Sequence, residues 1–184
     1  MPTTSLVYGS SLANTTGTGS KAWSNPTNAA GNNTSDATRA TVDLTGGFSV
    51  SSNYLTCTLA FGLTGSDTIN GITVAVRRFS TLNDTDAPLD NIIKLIKNGT
   101  IGGTNKAVAG AWPQVGTWSA NYGSTSDLWG LTFIGSDTIG VAISAIGVDP
   151  NDFAYVTAIR AQATYTSSGG STPQHTGFFK LLGA

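Results

Sequence analysis

Apolar residues recur at every second position in short runs along most of this chain. Leu55, Cys57, Leu59 and Phe61 share one face of such a run, with Thr56, Thr58 and Ala60 on the other. Ile72, Val74 and Val76 repeat the pattern opposite Thr73, Ala75 and Arg77. Successive side chains of a strand point to opposite sides, so each run predicts a strand with one dry face. Trp129, Leu131 and Phe133 alternate with Leu128, Gly130 and Thr132; Ile139, Val141 and Ile143 follow, and then Ile159, Ala161, Ala163 and Tyr165. Asp90 to Lys97 differs, because Ile92, Ile93, Leu95 and Ile96 are apolar on both faces. That is expected of a central strand or of one covered by another subunit, and the second is the expectation taken here. Weaker strands near 41–44 and 113–119 bring the count to about eight, the number a jelly roll uses. The pattern therefore predicts an all-β fold, an antiparallel β-sandwich that is jelly-roll-like, with extended N- and C-terminal arms.

Turn residues punctuate these runs. Asn98-Gly99 follows an apolar strand, and both residues tolerate the positive φ of a tight hairpin, so Thr100 and Ile101 are expected to start the returning strand. Gly65-Ser66-Asp67-Thr68-Ile69 recurs as Gly135-Ser136-Asp137-Thr138-Ile139. Asp and Ser hydrogen-bond their own backbone within turns, so two equivalent loops of a sandwich are the simplest explanation. Asp127 is placed to satisfy backbone donors where a strand begins, leaving Trp129 to fill the space between sheets.

Residues 1–35 are mostly small and polar, with Leu6, Val7, Tyr8 and Trp23 as isolated apolar points. Such a segment cannot offset its own ordering entropy, so it is expected to form an arm and first strand that borrow order from a neighbour. Residues 36–166 hold the sandwich body. Residues 167–184 begin as a Ser-, Gly- and Thr-rich linker and end in Phe178, Phe179, Leu181 and Leu182. These four are expected to make assembly contacts, because soluble monomers tend to avoid exposing such a patch. The alternative is that this tail folds back and closes a gap in its own sandwich.

Composition narrows the chemistry. Of 184 residues only 10% are charged and the net charge is -1, so no face is expected to neutralise the phosphates of nucleic acid. All 10 acidic residues are Asp, and the abundance of Thr, Ser, Asn and Gly disfavours helix. Cys57 is the single cysteine, which precludes an intramolecular disulfide, and it reads as a buried, inert thiol. No apolar stretch is long enough to span a bilayer and no leader pattern opens the chain, so no membrane partner is expected.

Candidate chemistry is sparse. His175 is the only histidine and lies in the C-terminal tail, a poor support for catalysis, and no cofactor is implied. Asp84, Asp86 and Asp90 are close enough in sequence to supply oxygen ligands to calcium, but they lack the glycine and the terminal glutamate of a calcium loop, and a solvated turn is favoured. Trp112 and Trp118 stand in a segment with Pro113 and Gly116 that reads as a loop, and are the aromatics nominated to face a ligand such as a glycan.

Five short elements carry a resemblance. Ala22-Trp23-Ser24-Asn25-Pro26, Asp90 to Gly99 followed by Asn105-Lys106-Ala107, Trp112-Pro113, Tyr122-Gly123 and Asp127-Leu128-Trp129-Gly130 together resemble a jelly-roll or β-sandwich module of tailed-bacteriophage virion structural proteins, also found in some bacterial surface proteins. The likeness spans about residues 22–166 and implies a building block or attachment domain with no catalytic residues to transfer. Ser124 departs from it, standing where a second glycine is expected after Tyr122-Gly123. The resemblance implies a non-enzymatic virion protein made in the host cytoplasm. Head decoration or cementing, with other virion proteins and copies of itself as partners, is the expected role. A receptor- or carbohydrate-binding module of a tail fibre or surface adhesin is the alternative, and an enzyme would need a pocket of convergent Asp residues.

Overall fold

The computed structural model describes residues 1–17, 19–82 and 86–168. Phe178, Phe179, Leu181, Leu182 and His175 lie outside the described residues, as does Asp84. The described residues form twelve strands: β1 (Val7–Tyr8), β2 (Ser10–Thr15), β3 (Trp23–Ser24), β4 (Ala40–Asp43), β5 (Tyr54–Leu59), β6 (Thr68–Ser80), β7 (Leu89–Lys97), β8 (Thr100–Gly102), β9 (Thr117–Trp118), β10 (Phe133–Ile134), β11 (Ile139–Ile146) and β12 (Phe153–Thr166). One sheet has the order β10-β6-β12-β4-β3, with β1 added to β12 and β9 to β6; the other has the order β2-β5-β11-β7-β8. All of these strand pairs are antiparallel. From β4 to β7 each successive strand changes sheet, and β11 and β12 change again, which is the jelly-roll-like wrapping expected of this sandwich.

The alternating runs explain the core. Ile72, Val74 and Val76 of β6 and Ile159, Ala161 and Ala163 of β12 meet Leu55, Cys57 and Leu59 of β5, Ile93 and Leu95 of β7, and Val141 and Ile143 of β11. Each Leu, Ile or Val so covered contributes about 1.5–3 kcal/mol relative to an exposed side chain. Asn98 and Gly99 adopt φ of 49° and 81° and turn β7 into β8, as their sequence signals. In β7, Ile93 and Leu95 are buried, whereas Ile92 and Ile96 are half-buried on the outer surface, where nothing in the described chain fully covers them.

Two expectations are corrected. Residues 1–35 do not wait for a neighbour: β1 pairs with β12 and β2 with β5, while Leu12 and Trp23 enter the core. The indole of Trp23 donates to the Asn53 carbonyl at 2.9 Å. Gly19 lets this segment lie flat on the sandwich, since a Cβ there would fall 2.1 Å from the Ser51 carbonyl oxygen. Low apolar content misleads because strand pairing, close backbone approach and two well-placed side chains, Leu12 and Trp23, anchor the segment together. The second correction concerns Leu128 to Phe133, where only Phe133 and Ile134 are in a strand. Trp129 and Gly130 have φ of 58° and 75°, so the chain bends where the alternation suggested it ran straight.

Candidate functional site: a closed polar tie and an open arginine face

Val76, Arg78 and Ser80 succeed one another on the inward face of β6, so the strand carries a guanidinium to the interior. Asp90 answers it from β7 in the opposite sheet. A register shift between Ser144 and Ala145 of β11 sets Ala145 opposite Asp90 and brings that carboxylate inward. The two side chains form an ion pair, with the Asp90 side chain fully buried and that of Arg78 8% exposed. Arg78 also donates to the Tyr122 hydroxyl at 2.5 Å, and that hydroxyl donates to Asp90 Oδ2 at 2.8 Å. The Trp112 indole donates to Asp90 Oδ1 at 3.0 Å, and the Arg78 guanidinium lies 5.1 Å from the Trp112 ring centre. Burial draws the Arg78 pKa below its ordinary value, with the Tyr122 oxygen opposing. Arginine starts so high that the guanidinium stays charged at neutral pH.

This tie corrects two readings of the sequence. Trp112 is 1% exposed and faces no ligand; its segment is a loop, but one folded over the end of the sandwich by Asp90. Asp90 does not share a solvated turn with Asp84 and Asp86, because its carboxylate is directed into the sandwich and engaged there. Among the described residues no group of three or more His, Cys, Asp or Glu is arranged to hold a metal ion.

The remaining acidic chemistry shapes loops. Asp67 Oδ2 accepts the Thr64 N–H at 2.8 Å and Asp137 Oδ2 accepts the Ile134 N–H at 2.9 Å, and in each case the Asp N–H returns to the carbonyl three residues back at 3.0 Å. The repeated Gly-Ser-Asp-Thr-Ile is thus one turn used twice. The Thr64 backbone donor holds the Asp67 carboxyl below its usual range. At Asp137 burial works the other way but is outweighed by the Ile134 N–H, Asn98 and Lys97. Asp127 accepts the Trp129 N–H at 2.7 Å and pairs with Lys106 at 2.7 Å, so Trp129 is held fully buried with its indole on the Ile72 carbonyl at 3.0 Å. Gly123 is required beside it, since at φ 75° its Cβ would come within 2.4 Å of the Trp129 indole nitrogen. Ser124 is exposed and has no positive φ, so the departure from the resemblance disturbs nothing. Asp152 differs from these: its Oδ2 accepts N–H groups from Val148 and Asp149, its Oδ1 has no partner among the described residues, and burial first, then Asp149 and Asp86, push its pKa up against those donors. Burial also pushes the Cys57 thiol up to about 12, which leaves it un-ionised and inert.

The outer face of the seven-stranded sheet is different in kind. Phe79 and Tyr155 stack at 4.8 Å, Phe153 stacks on Tyr155 at 6.4 Å, and Arg39 lies 4.1 Å from the Tyr155 ring centre. Arg77 pairs with Asp36 at 2.5 Å. Trp118, the other aromatic nominated to face a ligand, is half-buried and has Arg160 over its ring at 4.1 Å. A cavity of about 110 Å³ opens beside Arg160. A larger one of about 230 Å³ lies on the outer face of the five-stranded sheet, lined by threonines and isoleucines with no charged side chain.

The chain matches no protein-family model, no curated protein and no solved structure. Its fold and side-chain chemistry define a class: an antiparallel β-sandwich whose interior polar groups close loops and which carries three of its four arginines, with Trp118 and Phe153, on the outer side of one sheet.

Proposed function

We propose that this chain is a non-enzymatic structural protein of a tailed-phage particle, acting at the head surface as a decoration or cement protein bound to neighbouring virion subunits and to copies of itself. The observation that carries this reading is the outer face of the seven-stranded sheet. There the half-buried Arg39 and Arg160 stand with the half-buried Phe153 and Trp118, while Phe79 and Tyr155 of the same ring cluster are buried and Arg77 is paired with Asp36. Arginine and large aromatics are the residue types that dominate contact surfaces between proteins. The resemblance over residues 22–166 supplies the phage setting, and the apolar tip Phe178, Phe179, Leu181 and Leu182 is a second means of grasping a neighbour. Proteomics of gradient-purified particles encoded with this chain tests the reading. The chain should band with the major capsid protein and persist in tail-less heads; its absence from the particle overturns the proposal. Removing residues 169–184 should lower its incorporation while leaving stability within about 1 kcal/mol.

A second reading, a carbohydrate-binding module, is favoured by one observation, the half-buried Trp118 beside Arg160 and a small cavity.

A further inference from the structure

We propose that the cavity beside Arg160 and Trp118 is a binding site for an acidic pyranose, a sugar ring bearing a carboxylate. This rests on the carbohydrate-binding reading and is independent of the virion role.

The four arginines make the case by contrast. Arg39 donates to the Asp36 carbonyl at 2.7 Å, Arg77 to the Asp36 carboxylate at 2.5 Å and the Thr157 hydroxyl at 2.9 Å, and Arg78 to Asp90 and Tyr122. Arg160 donates from its side chain to no oxygen among the described residues; its guanidinium lies over the Trp118 ring. A guanidinium held over an aromatic face keeps its planar fork of N–H donors free for a carboxylate, which it binds through two parallel hydrogen bonds. An arginine loose in solvent would lack that orientation.

The groups around the fork suit a sugar rather than a bare anion. The cavity is bounded by Leu6, Thr73, Ala75, Asn121, Arg160 and Gln162. Asn121 is exposed, and its amide makes no hydrogen bond among the described residues. Gln162 Nε2 donates to the Thr4 carbonyl at 2.7 Å, which fixes the amide and leaves Oε1 as an acceptor. Leu6, 49% exposed, supplies apolar surface. A hexuronate engages all three kinds of group: its carboxylate meets Arg160, its hydroxyls meet Asn121 and Gln162, and its C–H face lies against Leu6. Acetate or phosphate would use the guanidinium alone, and a neutral sugar would leave the fork unanswered.

The test follows the Trp118 indole N–H resonance of the full chain by NMR, assigned with W118F, during titration with methyl glucuronide, methyl glucoside and acetate. The glucuronide should shift it with a Kd on the order of 1 mM, and the glucoside and acetate should each bind at least about ten-fold more weakly. R160M should abolish the shift and N121A weaken binding several-fold, with thermal midpoints of both within about 2 °C of the parent so that loss of fold is not the cause. An unmoved resonance, equal binding of acetate, or undiminished binding by R160M overturns the assignment. None of these outcomes touches the presence of the chain in particles, so this proposal and the virion role fail separately.

Discussion

Two arginine–tryptophan pairs sit on opposite sides of the same sheet. Arg78 lies 5.1 Å from the Trp112 ring centre and Arg160 lies 4.1 Å from that of Trp118, so the stacking chemistry is shared. The surroundings are not. Arg78 is inside, where Asp90 and Tyr122 complete it and the loop carrying Trp112 is drawn down to close the network. Arg160 is outside, with a ring to orient it and no oxygen among the described residues to complete it. A buried charge must find its partners within the chain, whereas a surface charge can keep its donors for something else. Function in this molecule is therefore sought where the same pair is left incomplete.

The sharpest way to break the comparison is at the inner pair. D90A leaves Arg78 buried without a counter-charge and should cost about 3–5 kcal/mol in urea unfolding. Replacing both residues together, as R78M with D90L, should cost less than D90A alone, because no charge is then stranded. W112A should cost about 3–5 kcal/mol, since it empties a fully buried site and removes a donor from Asp90. W118A, on the half-buried outer pair, should cost under about 1 kcal/mol by the same measurement.

Smaller effects come from pH. The carboxyls of Asp67 and Asp137 are held below their usual range, so their stabilisation is present above the unfolded pKa of about 3.9 and is lost as pH falls through the folded values. The double variant D67N/D137N should show a flatter fall in thermal midpoint on acidification. Asp152 has the opposite sign, because its raised pKa makes its contribution greatest in acid and lost as pH rises through the folded value. D152N should therefore gain on the parent as pH rises from about 4 to 7. A gap that narrows over that range would contradict this sign.

Much of the sandwich is legible in period-two runs such as Ile72, Val74 and Val76, because a strand with one dry face must alternate. The doubled Asp turn and the Asn98-Gly99 hairpin are legible for a local reason, since their geometry is set by a few consecutive residues. The inner pair is harder. Its one signal is Arg78 in register with Val74 and Val76, a charge on a dry face that demands a buried partner, but the partner is brought inward by an extra residue, Asn91, in β7 where it pairs with β11, which alternation does not reveal. Trp112 sits in a loop as Pro113 and Gly116 suggest, yet loop position did not settle exposure, which Asp90 decides from another sheet. Trp118 is distinguished from Trp112 only by what the fold sets beside it.

The central claim is that the inner arginine holds the fold and the outer one does not. Parallel urea titrations of R78M and R160M test it directly. R78M should lose about 3–5 kcal/mol by stranding Asp90, while R160M should stay within about 0.5 kcal/mol of the parent. Equal losses at the two positions, or a larger loss at Arg160, would contradict the division of the molecule into a closed tie and an open face.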